Sequence, residues 1–245
     1  MNVVCLGATK GMGRALARKL AARGDRLFLL GRDLEQLQRT SADLEVVREG
    51  AGAGVAVCDL EDVATFEPAL DAAAAALGGV QCVVITAGLF GTQDELEQDL
   101  ERAQRVMTVN YANTVVLCEQ VRQRMLAAGG GMLVVFTSVA GDRGRKPVGI
   151  YGSSKAGLSH YLESLDHHYR ADGLVTINVK PGFVKTGMTE GLKPPPFAGE
   201  PEEVAERVIR AMDAGKPVVY APFMWGVVMM VIRSLPRFVM RKVGF

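Results

Sequence analysis

"NVVCLGATKGMGRALARKLAAR", residues 2–23, carries three signals in succession. An apolar run rich in valine reads as a buried strand, Gly7, Gly11 and Gly13 follow in a GxxxGxG spacing, and the residues after them repeat apolar positions at helical period. A strand that enters a helix through a tight glycine turn presents backbone N–H groups to an anion that the helix dipole also favours. The spacing differs from the commoner GxGxxG, but the order of elements is that of a pyrophosphate site.

Six more apolar runs lie downstream: "LFLL" at 27–30, "VAVC" at 55–58, "VQCVVITA" at 80–87, "MLVVFT" at 132–137, "VTINV" at 175–179 and "PVVY" at 217–220. Stretches of helical period separate them, the longest running from about Asp99 to Ala128. Strands apolar on both faces, alternating with helices, predict an α/β fold: a Rossmann-like, doubly wound parallel sheet of seven strands with helices on both faces. Ligands then bind beyond the carboxyl ends of the strands. Residues 1–222 read as one catalytic domain, in which 187–200, containing "GLKPPPFAGE", forms a substrate loop before a helix starting near Pro201. Residues 223–245 form an apolar and basic tail.

The chain of 245 residues is 49% hydrophobic and 22% charged, enough for a substantial core and unlike a disordered or fibrous protein. Its 28 Lys plus Arg nearly cancel 27 Asp plus Glu, so no global field draws it to nucleic acid, and any anion site is local. Cys5, Cys58, Cys82 and Cys118 lack CxxC or zinc spacing and are expected to be buried thiols in a reducing cytoplasm. The N-terminus lacks the charged region, apolar run and cleavage site of a signal peptide. His160, Glu163 and His167 share a helical face without the short spacings of zinc sites, so no metal is expected.

The second strand ends in Gly31 and Arg32. An acidic residue at this tip would bind the ribose hydroxyls of NAD and repel a 2′-phosphate. Arg32, with Lys10 from the glycine turn, suits a phosphorylated ribose and favours NADP, while Asp33, one residue on, is placed to cap the next helix.

In "YGSSK", residues 151–155, Tyr151 and Lys155 share one face if the segment is helical. An ammonium near a phenol favours the phenolate, lowers its pKa towards the operating pH and makes the tyrosine a usable acid or base. With these motifs the chain resembles the short-chain dehydrogenase/reductase family, from Asn2 to about Tyr220. Its catalytic tyrosine and lysine match Tyr151 and Lys155, its serine thirteen residues earlier matches Ser138 in "FTSVAG", and its asparagine matches Asn110 in "VMTVNYANT". The resemblance implies that Ser138 hydrogen-bonds the substrate oxygen, Tyr151 donates the proton, Lys155 tunes the tyrosine and holds the ribose, and Asn110 positions a relay water. It also implies cofactor contacts from Gly7, Thr9, Lys10, Gly11, Met12 and Gly13, from Arg32, from Asp59 and Leu60 in "CDL", from Ala87 and Gly88, and from Pro181, Gly182, Val184 and Thr186 in "PGFVKT". Thr86 stands where the family usually has asparagine, and Leu6 where a threonine often precedes the first glycine.

Residues 221–232 of the tail are free of charge but too few to span a bilayer. Trp225, Phe223 and a Met-Val block precede Arg233, Arg237, Arg241 and Lys242, a pattern that suits the membrane interface; packing on the protein's own core or on a partner subunit is the other reading. The run WxxxMxxxRxxP from Trp225 to Pro236 is similar to that of decaprenylphosphoryl-ketoribose reductase-like enzymes, which implies a lipid-linked or otherwise apolar carbonyl substrate. The expectation is therefore an NADPH-dependent reductase of a carbonyl to a secondary alcohol, cytoplasmic, at the inner face of the membrane if the tail binds there, and a homodimer or homotetramer as its relatives commonly are. A soluble 3-oxoacyl or natural-product ketoreductase is the alternative enzyme, and a non-catalytic NADP-binding scaffold the alternative of another class.

Overall fold

Strands that are apolar on both faces need cover on both sides, and the chain supplies two layers of helices. The computed structural model describes residues 1–243. Strands β1 (Asn2–Leu6), β2 (Arg26–Gly31), β3 (Gly52–Val57), β4 (Cys82–Ile85), β5 (Gly131–Phe136), β6 (Leu174–Pro181) and β7 (Val218–Ala221) form one parallel sheet in the order β3-β2-β1-β4-β5-β6-β7. The seven runs read from sequence are these strands, with shifted ends: β4 is shorter than the 80–87 run, and β3 starts three residues before the 55–58 run.

The period of two along each strand sorts side chains between the layers. Val3 and Cys5 of β1 pack with α1 (Gly11–Arg23), α2 (Leu34–Val47) and α8 (Pro201–Asp213), whereas Val4 and Leu6 pack with α3 (Phe66–Leu77), α6 (Asn113–Ala127) and α7 (Gly149–Tyr169). Asp33 caps α2 as expected, accepting the Gln36 N–H at 3.0 Å. All four cysteines are buried free thiols, and His160, Glu163 and His167 are exposed on α7.

The stretch read as one long helix is interrupted. After α4 (Gln93–Gln98), α5 (Leu100–Met107) passes through a π-helical turn at Thr108–Ala112 into α6. Such turns are frequent at functional sites, and this one carries Asn110.

β1 and β4 are neighbours while the chain between them travels to β2 and β3, so the winding reverses there and a crevice opens at their carboxyl ends. The glycine turn after β1 and Thr86-Ala87-Gly88 after β4 pack together at its base.

The tail forms α9 (Met224–Ser234) and α10 (Arg237–Met240), divided at Pro236. Met229 and Ile232 are buried against Val139, the Trp225 indole donates to the Phe197 carbonyl at 3.0 Å, and Arg143 donates to the Leu235 carbonyl at 2.9 Å. One face of α9 thus packs on the protein itself. Phe223, Met230, Val231 and Phe238 are exposed. Among the described residues no helix is long and apolar enough to cross a membrane, and the last two residues of the 223–245 tail lie outside them.

Candidate active site

Two cavities meet beyond the strand ends, and Gly88 and Leu89 line both. The first, about 390 Å³, is bordered by Gly7, Thr9, Lys10, Arg32, Asp59, Leu60, Ala87 and Gly88. Its floor is backbone brought close by missing side chains. A Cβ on Gly13 would stand 2.2 Å from the Gly7 carbonyl oxygen, so only glycine permits that turn. Thr86 accounts for its departure from the family pattern: its hydroxyl reaches the Leu6 and Gly7 carbonyls at 3.1 and 2.9 Å and ties the turn to the end of β4.

At the β2 tip Arg32 is largely exposed and lies 3.5 Å from Glu61. Glu61 is held more closely by Arg105, at 2.8 and 3.0 Å, and that hydrogen bonding draws its carboxyl below the usual range. Arg32 is therefore loosely paired, and Lys10 has no ion pair among the described residues. The Asp33 carboxylate, which would oppose a phosphate, is occupied with the Gln36 N–H and side chain.

The second cavity, about 730 Å³, holds the reactive groups. Ser138, Tyr151 and Lys155 line it together with Met12, Pro181, Gly182, Val184 and Thr186. Small residues between Tyr151 and Lys155 let α7 approach the turn after β5: a Cβ on Gly152 would meet the Ala140 carbonyl oxygen at 2.7 Å. Ser138 Oγ accepts the Ala140 N–H at 3.1 Å, which orients the hydroxyl and leaves its proton to donate. Tyr151 is fixed edge-on against Phe90, ring centroids 5.0 Å apart.

The acid–base balance reverses the expectation for the tyrosine. Burial pushes the Tyr151 phenol up to about 12, opposed by its hydrogen bond with Ser138, and burial brings the Lys155 ammonium down to about 8. Lys155 Nζ donates to the Phe136 carbonyl at 3.0 Å, an arrangement that ties it to the end of β5. Desolvation dominates, and the phenol is protonated at neutral pH, the form an acid needs.

Asn110 is held by its side chain. Its side-chain oxygen accepts the Leu89 N–H at 2.7 Å, and its nitrogen donates to the Leu89 carbonyl at 2.8 Å and to Ser154 at 3.3 Å. The amide is spent on clamping the segment after Gly88 to α7, which makes Asn110 a positioning residue through its side chain. Gly11 and Gly13 lie inside the glycine turn and do not border either cavity; a Cβ on Gly11 would stand 3.2 Å from the Thr186 methyl.

Beyond the sequence reading, the second cavity is walled by Phe90, Val139, Pro147 and Val148, by Met188, Leu192, Lys193 and Phe197 of the 187–200 loop, and by Trp225, Val228 and Ile232 of α9. The tail and the loop are therefore parts of one wall. The Trp225 ring covers Gly182. No local pattern announces this, because the contacts join segments far apart in the chain.

Residues 1–196 match the family model described as short chain dehydrogenase. An uncharacterized oxidoreductase of Mycobacterium tuberculosis is 36% identical over 244 residues, covering 98% of this chain and 96% of the relative. Carbonyl reductase family member 4 of Xenopus tropicalis is 28% identical over 225 residues, covering 87% and 92%. Among solved structures, levodione reductase superposes with a TM-score of 0.81 at 26% identity, covering 89% of this chain and 95% of that one.

Proposed function

This chain belongs to the short chain dehydrogenase family and is an oxidoreductase, and from that premise we propose that it uses NADPH to reduce a carbonyl to a secondary alcohol on an apolar substrate. The observation that carries the reading is Tyr151, Ser138 and Lys155 together at the wall of a large apolar cavity that meets the glycine-turn cleft.

The residues fit a nicotinamide dinucleotide. The bare backbone of the Gly7–Gly13 turn suits a pyrophosphate, with Thr9 and Met12 beside it; Asp59 and Leu60 border the adenine end; Ala87, Gly88, Pro181, Gly182, Val184 and Thr186 border the nicotinamide end. Lys10 and Arg32 would take the 2′-phosphate, for which a planar guanidinium is suited, while the nearby carboxylates Asp33 and Glu61 are engaged by Gln36 and Arg105. Bound there, the cofactor supplies the hydride.

The chain's own groups do the rest. Ser138 donates a hydrogen bond to the substrate oxygen and Tyr151 delivers the proton to that oxygen as negative charge develops on it. Lys155 holds positive charge near the phenol, favouring the phenolate left after transfer and the ribose hydroxyls. Asn110 keeps the Leu89 segment, and with it the cavity junction, in place. NADPH and NADH oxidation over a panel of ketones that includes lipid-linked ketosugars and short 3-oxoacyl thioesters tests the reading; absence of turnover across the panel favours the non-catalytic scaffold.

The same reading places the tail's outer face on an anionic membrane surface at the cytoplasmic side. Exposed Phe223, Met230, Val231 and Phe238 beside Arg233, Arg237, Arg241 and Lys242 support it, since apolar and cationic groups together suit that interface. Flotation with anionic vesicles, compared with neutral ones, tests it. Assembly into a homodimer or homotetramer belongs to the proposal too and is read by light scattering.

A further inference from the structure

Arg145 stands seven residues after Ser138, at the N-terminal edge of a 3-10 turn, Lys146–Val148, in the connection between β5 and α7. It lines the large cavity, and its Nε is buried with no hydrogen-bond partner. Among the described residues no carboxylate lies within ion-pair distance of it. The acidic residue of the same loop, Asp142, is already committed: one oxygen accepts Lys180 Nζ at 2.6 Å and the other the Tyr220 hydroxyl at 2.7 Å. Burial accordingly lowers the Arg145 pKa, against a weaker pull from Asp142.

Arg145 is half-buried, and a guanidinium with no carboxylate partner and its Nε cut off from water is costly, since arginine does not escape by losing its proton. Chains carry that cost where a ligand supplies the missing charge. The surrounding wall agrees: three cations, Arg145, Lys155 and Lys193, border the cavity and no aspartate or glutamate does, while its remaining lining is mainly apolar. Lys155 belongs to the proton-transfer group, so Arg145, with Lys193 on the 187–200 loop, is left for the substrate.

We infer that Arg145 binds an anionic group, a carboxylate or a phosphate ester, carried by the carbonyl substrate, whose body lies along the apolar wall. The substrate is then an acidic amphiphile. This rests on the reading that the cavity receives the carbonyl compound, and it is tested separately from turnover.

The probes are a ladder of oxo fatty acids of short to medium chain, the methyl ester of each, and phosphate monoesters of keto alcohols of matching length. Trp225 is the single tryptophan and lines the cavity, so its fluorescence reports binding without chemistry. With NADPH present, at least one acid or phosphate binds roughly tenfold or more tightly than its uncharged partner, the lower end of what a charge-assisted hydrogen bond contributes. Arg145→Gln abolishes that preference, Arg145→Lys keeps part of it, and both retain wild-type affinity for NADPH. Preference for a carboxylate over a phosphate, or the reverse, identifies the group. Equal binding of charged and uncharged partners, or a preference that survives Arg145→Gln, overturns the inference. Charge preference in binding with no NADPH oxidation would remove the reductase reading and leave this one standing; oxidation without charge preference would do the opposite.

Discussion

The two cavities that meet at Gly88 are built by opposite means. The cleft over the glycine turn is made by the short segments that follow β1, β2, β3 and β4, close-packed through backbone, with Gly13 packed on Gly7 and Thr86 hydrogen-bonded to both Leu6 and Gly7 carbonyls. The larger cavity is made of side chains from Phe90, the connection after β5, the 187–200 loop and α9, which the fold alone brings together. The first is a set of strand-end turns whose backbone contacts tolerate little change. The second is an assembly of replaceable walls around a fixed acid, so one scaffold can keep its redox chemistry while its substrate changes.

The contrast can be broken first at the turn. Gly13→Ala forces a Cβ into a backbone carbonyl, and overpacking of this kind costs about 1–3 kcal/mol; thermal unfolding shows the loss, and kcat/KM falls roughly 100-fold as the cleft shifts. Arg32→Ala comes next. Removing a charge-assisted contact weakens NADPH binding roughly 10- to 100-fold and leaves NADH nearly unchanged; equal loss for both cofactors would assign Arg32 a merely structural role. On the other side, Trp225→Ala raises KM for apolar ketones roughly three- to tenfold, about 1 kcal/mol of lost apolar contact, with NADPH affinity retained. A drop in NADPH affinity there would show that the two cavities are not independent.

The pH profile gives the smallest effect. Reduction needs Tyr151 protonated and Lys155 charged. The phenol, raised to about 12, keeps its proton throughout the neutral range, whereas the lysine, lowered to about 8, loses its charge as pH rises through that value. The kcat/KM for reduction is therefore level at neutral pH and half-lost near pH 8, and a decline on the acidic side would contradict these assignments.

The same contrast explains what was legible in the sequence. The glycine turn, the seven strands, the Asp33 cap and the shared helical face of Tyr151 and Lys155 follow from short periods and fixed spacings, Ser138 and the active-site reading of the three follow from the resemblance to the family, and the structure places those three side chains in one cavity. The π-helical turn at Asn110 carries no residue signature, because an extra residue in a helix changes hydrogen bonds and not composition. The direction of the Tyr151 shift was missed because spacing shows that a cation is near but not how dry the site is. The tail's apolar residues looked alike in sequence; only the packing of Met229 and Ile232 distinguishes its inner face from the outer one. Arg145 was equally silent, since its isolation depends on Asp142 being claimed by Lys180 and Tyr220, from other strands.

Reduction at this site turns on the proton from Tyr151. Stopped-flow oxidation of NADPH in the presence of a ketone turned over by the wild type, measured beside Tyr151→Phe with its NADPH affinity determined in parallel, reads that step directly. A loss of roughly 10²- to 10⁴-fold in rate at unchanged NADPH affinity is the expected result, and a phenylalanine variant that oxidises NADPH within a few-fold of the wild type would contradict it.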